Sequence, residues 1–178
     1  MPPRPLASAT SEAEGFSATN AVDGDPSTVW RTADGGFQNL TLDLGYEREF
    51  GGLTLRWQDD GWADRYRIDI SNDGADWTFL TQVDYGDGGT DWLRLPETSA
   101  RYIQLQLIDG MPLYGLAEVE IEPLAFGADQ TAFITAVASE SRRGLYPRGF
   151  HGEQPYWTLV GVDGGGESGL MGDRKSVV

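Results

Sequence analysis

The chain has 178 residues, 39% of them hydrophobic and 11% aromatic, with no cysteine and a formal net charge of −15. Such a length holds one full domain plus a fragment, or two small domains, and the missing thiols exclude disulfides and thiolate metal sites. Residues 1–123 carry 8 Lys/Arg against 22 Asp/Glu, a field that repels phosphate backbones and anionic lipid, so nucleic acid and membrane surfaces are poor partners while neutral or cationic ligands and metal ions remain.

No run is as long as a membrane helix, and no signal peptide is visible at Met1-Pro-Pro-Arg-Pro. Ser8 to Thr19 reads as a polar loop. Asn20-Ala-Val-Asp-Gly-Asp-Pro-Ser-Thr-Val-Trp30 then places carboxylates at Asp23 and Asp25 and a hydroxyl at Thr28 in one turn. Gly24 admits positive φ and Pro26 fixes its own, so the chain can curl and bring carbonyls beside those side chains. Hard cations such as calcium ask for that oxygen-only arrangement; an ordinary acidic turn between strands uses the same residues.

After a second loop at 31–36, Asn39-Leu-Thr-Leu-Asp-Leu44 alternates as a half-buried strand. Leu53, Leu55 and Trp57 repeat the pattern behind Gly51-Gly52, and Tyr66, Ile68 and Ile70 repeat it after the loop 58–62. Ser71-Asn-Asp-Gly74 signals a hairpin leading to Trp77–Leu80. Asp84–Gly89 is another loop, ahead of Trp92–Leu95; Ile103, Leu105 and Leu107 form a strand, 111–115 turns, and Val119–Ile121 closes the set. Short strands with turns every dozen residues and no helical period predict an all-β, antiparallel β-sandwich to about residue 123. Trp30, Trp57, Tyr66 and Trp77 are expected in its core, and Trp62, beside Gly61 in a polar loop, on its surface.

Beyond Pro123, Asp129 caps a predicted helix over Gln130–Ser141 with Phe133, Ile134 and Val137 on one face, and Tyr156–Val162 reads as a strand. One helix and one strand cannot close a core, so residues 124–178 are expected to be the opening of a following domain that is cut short. Asp173-Arg-Lys-Ser-Val-Val178 back-translates as GATCGGAAGAGCGTCGTG, a match to a common sequencing adapter, so these last six residues are expected to be the artefact of a metagenomic read. His151 is the lone histidine, which excludes multi-histidine zinc sites. Gly161-Val-Asp-Gly-Gly-Gly166 has the wrong glycine spacing for a phosphate loop, and no lysine follows it.

Several pieces together resemble one family. Asn20–Gly24 through Thr28-Val29-Trp30, Leu42-Asp43-Leu44-Gly45, Tyr66-Arg67-Ile68 with Ser71–Trp77, Arg101-Tyr102-Ile103 and Ala117-Glu118-Val119 are similar to discoidin-type domains, within them most to the bacterial family 32 carbohydrate-binding modules. Trp57-Gln58, Gly86–Gly89 and Tyr114-Gly115 further resemble modules attached to glucan- and chitosan-degrading enzymes. Residues 146–162 faintly resemble a region that follows such modules in large bacterial proteins with helical glycosidase-like domains.

The resemblance implies a discoidin-like jelly-roll with one structural calcium ion. Its ligands would be the carbonyls of Asn20, Asp25 and Ala117, the carboxylates of Asp23 and Glu118, and both oxygens of Thr28. It also implies glycan contacts at Glu14 (with Glu12 competing), Asp34, Gln58 and Tyr114. To these, chemistry alone adds Asp59, Asp60 and Trp62 on the same loop as Gln58, and Arg31 as a donor. Gln58 stands where chitosan-binding relatives often have an acid. The expected function is non-catalytic: binding a polysaccharide or oligosaccharide as a monomeric extracellular or periplasmic module that targets a larger polysaccharide-acting protein. A discoidin-type adhesion domain for cells or proteins is the alternative.

Overall fold

The computed structural model describes residues 3–140, and the backbone of 147–150 and 158–161. His151, the Gly161–Gly166 segment beyond its first residue, and the last six residues lie outside these.

The strands are β1 (Leu6–Ala9), β2 (Trp30–Arg31), β3 (Gln38–Trp57), β4 (Ala63–Ser71), β5 (Thr78–Val83), β6 (Thr90–Gly110), β7 (Gly115–Glu122), β8 (Pro147–Phe150) and β9 (Thr158–Gly161). All pairings are antiparallel. Two long strands organise them. β3 and β6 run side by side along their whole length, with register slips between Asp43 and Arg48 and between Phe50 and Gly52. These slips mark the corner where both strands pass from one layer of the sandwich to the other. Before it, the order is β5-β4-β6-β3-β1; after it, β2-β7-β3-β6-β9-β8. The segments predicted as separate strands at 39–44 and 53–57 are thus the two arms of one, as are 92–95 and 103–107. Leu6–Ala9, expected as coil at its Ser8 end, pairs with the 40–43 segment of β3.

Alternation does what period two requires. Gln38, Leu40, Leu42 and Leu44 face inward along the first arm of β3, with Asn39, Thr41 and Asp43 outward. Trp30, Tyr66, Ile68, Leu93, Ile103, Leu105 and Leu107 fill the space between the layers, and Trp57 stands edge-on to Tyr66 at 5.4 Å. Each such side chain contributes about 1.5–3 kcal/mol through the area it removes from water. Trp77, expected in the core, is only half-buried: it precedes β5 in the hairpin, outside the strand register that would have turned it inward.

The chain after β7 continues onto the sandwich. α1 (Leu124–Gly127) and α2 (Gln130–Glu140) follow, and the Asp129 carboxylate accepts from the Ala132 N–H at 2.7 Å, the expected cap. Phe126, Phe133 and Val137 bury themselves with Trp92 of β6 in a second small core. Ile134, expected on the same face, is exposed, since one step beyond Phe133 turns it away. β9 adds to β6 opposite Asp91–Leu93. Among its described residues the extension therefore has two helices and two strands, where one of each was expected.

Gly52 lies in this seam with no room for a side chain. A Cβ there would lie 2.4 Å from the Phe126 ring and 2.6 Å from the Leu93 carbonyl oxygen. Gly52→Ala is accordingly expected to cost about 1–3 kcal/mol by overpacking, read as a lower urea midpoint at unchanged slope. An unshifted midpoint would mean that both Phe126 and the β6 backbone at Leu93 yield freely.

Candidate functional site

The loops at one end of the sandwich are tied into a rim by backbone hydrogen bonds. Ala13 N–H donates to the Arg31 carbonyl at 2.8 Å, Thr32 N–H to that of Tyr114 at 3.0 Å, and Gly115 N–H to that of Gly61 at 2.7 Å. Gly86 N–H reaches the Asp64 carbonyl at 2.7 Å, and Met111 N–H that of Trp62 at 3.0 Å. Segments distant in sequence become one surface.

On that surface Arg31, at the end of β2, is clamped. Its Nη1 donates to Gln58 Oε1 at 3.2 Å and its Nη2 to Asp60 Oδ2 at 2.8 Å. The guanidinium in turn holds the Asp60 carboxyl below its usual range, chiefly through that hydrogen bond. Asp59 is exposed beside them. Asp34 is exposed on the neighbouring loop, where Ser11 Oγ donates to its Oδ2 at 3.2 Å and accepts from the N–H groups of Ala33 and Asp34. Glu14 is exposed, whereas Glu12 is spent on the Ala18 N–H at 2.8 Å, which separates two residues the sequence left in competition.

The two aromatic candidates require correction. Tyr114, expected as a ligand contact, is buried at 2% exposure beneath the rim, its N–H bonded to Thr32 Oγ1. Trp62, expected on the surface, is half-buried against Gly88, with its indole N–H donating to Asp64 Oδ1 at 2.9 Å. Sugar-sized apolar faces are offered by residues the sequence reading missed: Phe37, 57% exposed just after Asp34-Gly35-Gly36, and Phe16, 39% exposed, whose carbonyl receives the Arg31 N–H. A bulky apolar residue between a loop glycine pair and a strand start was the available signal for Phe37.

The turn from Asn20 to Trp30 gathers oxygens. A 3-10 helix (Ala18–Val22) leads into it, Gly24 takes φ +77, and Asn20 Nδ2 closes its base on the Val29 carbonyl at 2.9 Å. Asp25 Oδ1 accepts from both the N–H and the Oγ of Ser27, which aims its carboxylate outward while its carbonyl points in. Around Thr28 Oγ1 stand Asp23 Oδ2 at 2.8 Å, the Asp25 carbonyl at 3.0 Å and the Asn20 carbonyl at 3.4 Å. One hydroxyl proton cannot serve three acceptors.

Glu118 of β7 completes the group. It is 5% exposed, and its Oε2 accepts from Gly24 N–H at 3.0 Å. Burial above all, with the Asp23 charge adding to it, pushes its carboxyl up to about 7. Ala117 is the extra residue where the β3–β7 register slips between Arg56 and Trp57, which takes it out of the ladder. Oxygen donors only, two carboxylates and surplus acceptors are a set that fits a hard divalent cation. The Arg4 guanidinium, next to the space over Gly24, is the nearby alternative source of positive charge. A further acid cluster, Glu120, Glu122 and Glu140, is already served by Arg56, Thr54 and Trp92.

The family follows from residues 6–119, which match the model of the F5/8 type C domain. The chain belongs to that family. Among solved structures this domain is similar to chitosan-binding module 1 of a chitosanase/glucanase from Paenibacillus sp. IK-5, at 31% identity and TM-score 0.62 over 66% of this chain and 93% of that one. Module 2 of the same enzyme, solved with chitotriose, shares 27% identity at TM-score 0.63, covering 66% and 95%. The Clostridium perfringens module CpGH89CBM32-5, solved with GalNAc-β-1,3-galactose, shares 25% at 0.62, covering 66% and 94%. No curated protein sequence matches the chain. The discoidin-like domain is thus similar to non-catalytic carbohydrate-binding modules of glycoside hydrolases. Among the described residues no helix is long and apolar enough to cross a membrane.

Proposed function

We propose that this F5/8 type C domain binds a glycan on its rim and targets a larger extracellular or periplasmic polysaccharide-acting protein to its substrate. A calcium ion held by Asn20, Asp23, Asp25, Thr28, Ala117 and Glu118 would stabilise it. The observation that carries the reading is the clamped Arg31. A guanidinium fixed in advance by Gln58 and Asp60 presents directed donors to sugar hydroxyls with little ordering left to do on binding. Glu14, Asp34 and Asp59 are exposed acceptors on the rim segments, and Phe37 and Phe16 supply faces for the apolar side of a pyranose ring. The similarity to chitosan-binding modules supports a glucosamine oligomer as ligand, and an acidic rim attracts such a cation.

Isothermal titration with chitotriose and with GalNAc-β-1,3-galactose tests this directly. The expected result is binding that favours chitotriose and weakens with salt. Arg31→Ala should cost about 2–3 kcal/mol of affinity, as for a truncated charged hydrogen-bonding partner. Phe37→Ala should cost about 1–2 kcal/mol. Absence of binding to either sugar, or an Arg31→Ala variant that binds like the parent, defeats the reading. Weak association of this kind becomes effective targeting only through linkage to another domain that engages the same polymer.

A further inference from the structure

One buried carboxyl serves none of the roles above. Asp91, the second residue of β6, is 0% exposed inside the sandwich. Its Oδ2 accepts from Tyr66 Oη at 2.6 Å and from Trp57 Nε1 at 2.8 Å, while its Oδ1 has no hydrogen-bond partner among the described residues. A charged group so placed is costly; a neutral acid is much less so.

Its two partners stand on the strands that flank the 58–62 loop. Trp57 ends β3, and the next residue, Gln58, holds Arg31; the Trp57 N–H also donates to the Gly89 carbonyl at 2.8 Å. Tyr66 lies on β4 just after the 58–62 loop. Asp91 itself follows the 84–89 loop, which is seated on Ala63 and Asp64 through Gly86 and on Trp62 through Gly88. Three segments that shape the rim meet at one carboxyl.

We propose that Asp91 is a positioning residue of the glycan rim, holding the 58–62 and 84–89 loops in place through Tyr66 and Trp57 as a neutral acid. The assignment rests on the reading of the rim as a glycan site. The titratable groups that act on it are Tyr66 and the Asp87 carboxylate. Burial is the main cause raising its pKa, to about 7, opposed by the bonds from Tyr66 and Trp57 and aided by Asp87. Raised above its unfolded value, the group favours the ordered state below the ordinary carboxylate range, and that support is lost as pH rises through about 7. Above it, the ionised Oδ1 demands a donor or water, which the packed loops admit only by opening.

The test uses the full chain between pH 5.5 and 8.5. The Trp57 indole N–H resonance should titrate with a midpoint near 7, and amide exchange in 58–62 and 84–89 should accelerate beyond the intrinsic pH effect. Affinity for the neutral GalNAc-β-1,3-galactose should fall about fivefold over the same range. Asp91→Asn, which keeps an acceptor without a titration, should flatten all three profiles. Asp91→Ala leaves Tyr66 and Trp57 without their acceptor and should loosen both loops at every pH; should it fail to fold, the comparison with Asp91→Asn decides. Profiles that persist in Asp91→Asn, a silent Trp57, or loops that respond while sugar affinity stays flat would each overturn the proposal. If no sugar binds at any pH, the glycan reading falls, and loop exchange alone decides whether Asp91 holds the rim.

Discussion

Stripping divalent cations with EDTA is expected to lower the melting temperature of the full chain by about 10 °C, and calcium alone should restore it. A site saturated a thousandfold above its dissociation constant stabilises the folded state by about 4 kcal/mol, and each kcal/mol moves a domain of this size by a few degrees. The physical source is the crowding around Thr28, where the Asn20 and Asp25 carbonyls and Asp23 Oδ2 compete for one hydroxyl proton, with buried Glu118 adding a second carboxylate. Magnesium should substitute poorly, because it demands near-octahedral geometry and gives up its waters reluctantly. Thr28→Val removes the shared oxygen and should abolish the calcium response. Glu118→Gln separates the two possible charge partners: if calcium neutralises the site, the variant gains stability in EDTA by relieving repulsion from Asp23 and loses its response to the ion. If the Arg4 guanidinium does so, the variant is destabilised and the parent never responds. Equal melting of the parent in calcium and in EDTA would remove the ion from the account altogether.

The sandwich was legible wherever one face of a strand is wet. Leu40, Leu42 and Leu44 alternate with polar neighbours, and Ile103, Leu105 and Leu107 do the same, so period two announces them. It is silent at a corner. Gly51 and Gly52 read as a break between strands because nothing in local sequence says that a helix will press on them. β1 was missed because its four residues are short and mostly small. In the site, the oxygen-bearing turn was legible because side-chain chemistry and turn chemistry coincide there. Orientation within the rim was not: Tyr114 and Trp62 sit in loops, outside any strand alternation, and only contacts from distant segments, Thr32 and Gly88, fix them inward. The Arg31–Asp60 pair joins the end of β2 to a distant loop and has no sequence signature.

Phe133→Ala is expected to destabilise the whole described unit by about 3–5 kcal/mol, a loss of about 10 °C in a single transition. Phe133 is fully buried and meets Phe126 edge-on at 5.2 Å, and with Val137 the two rings cover Trp92 of β6. Polar contacts follow the same seam: Arg94 Nε donates to the Gly127 carbonyl at 3.0 Å, Trp92 Nε1 to Glu140 at 3.3 Å, and Arg56 bridges Glu120 of β7 to Glu140 of α2. Removing the ring leaves a cavity that belongs to both parts, so a fold that is cooperative across the seam must lose stability everywhere. If residues 124–140 instead begin a separate unit, the variant melts the helices alone, and the sandwich, followed by the indole resonance of buried Trp30, keeps its parent transition. The choice bears on the proposed targeting. A helix welded to β6 would fix the direction in which the chain leaves the module, and so where the rim points relative to whatever the chain is joined to; a hinge at Pro123 would leave that angle free.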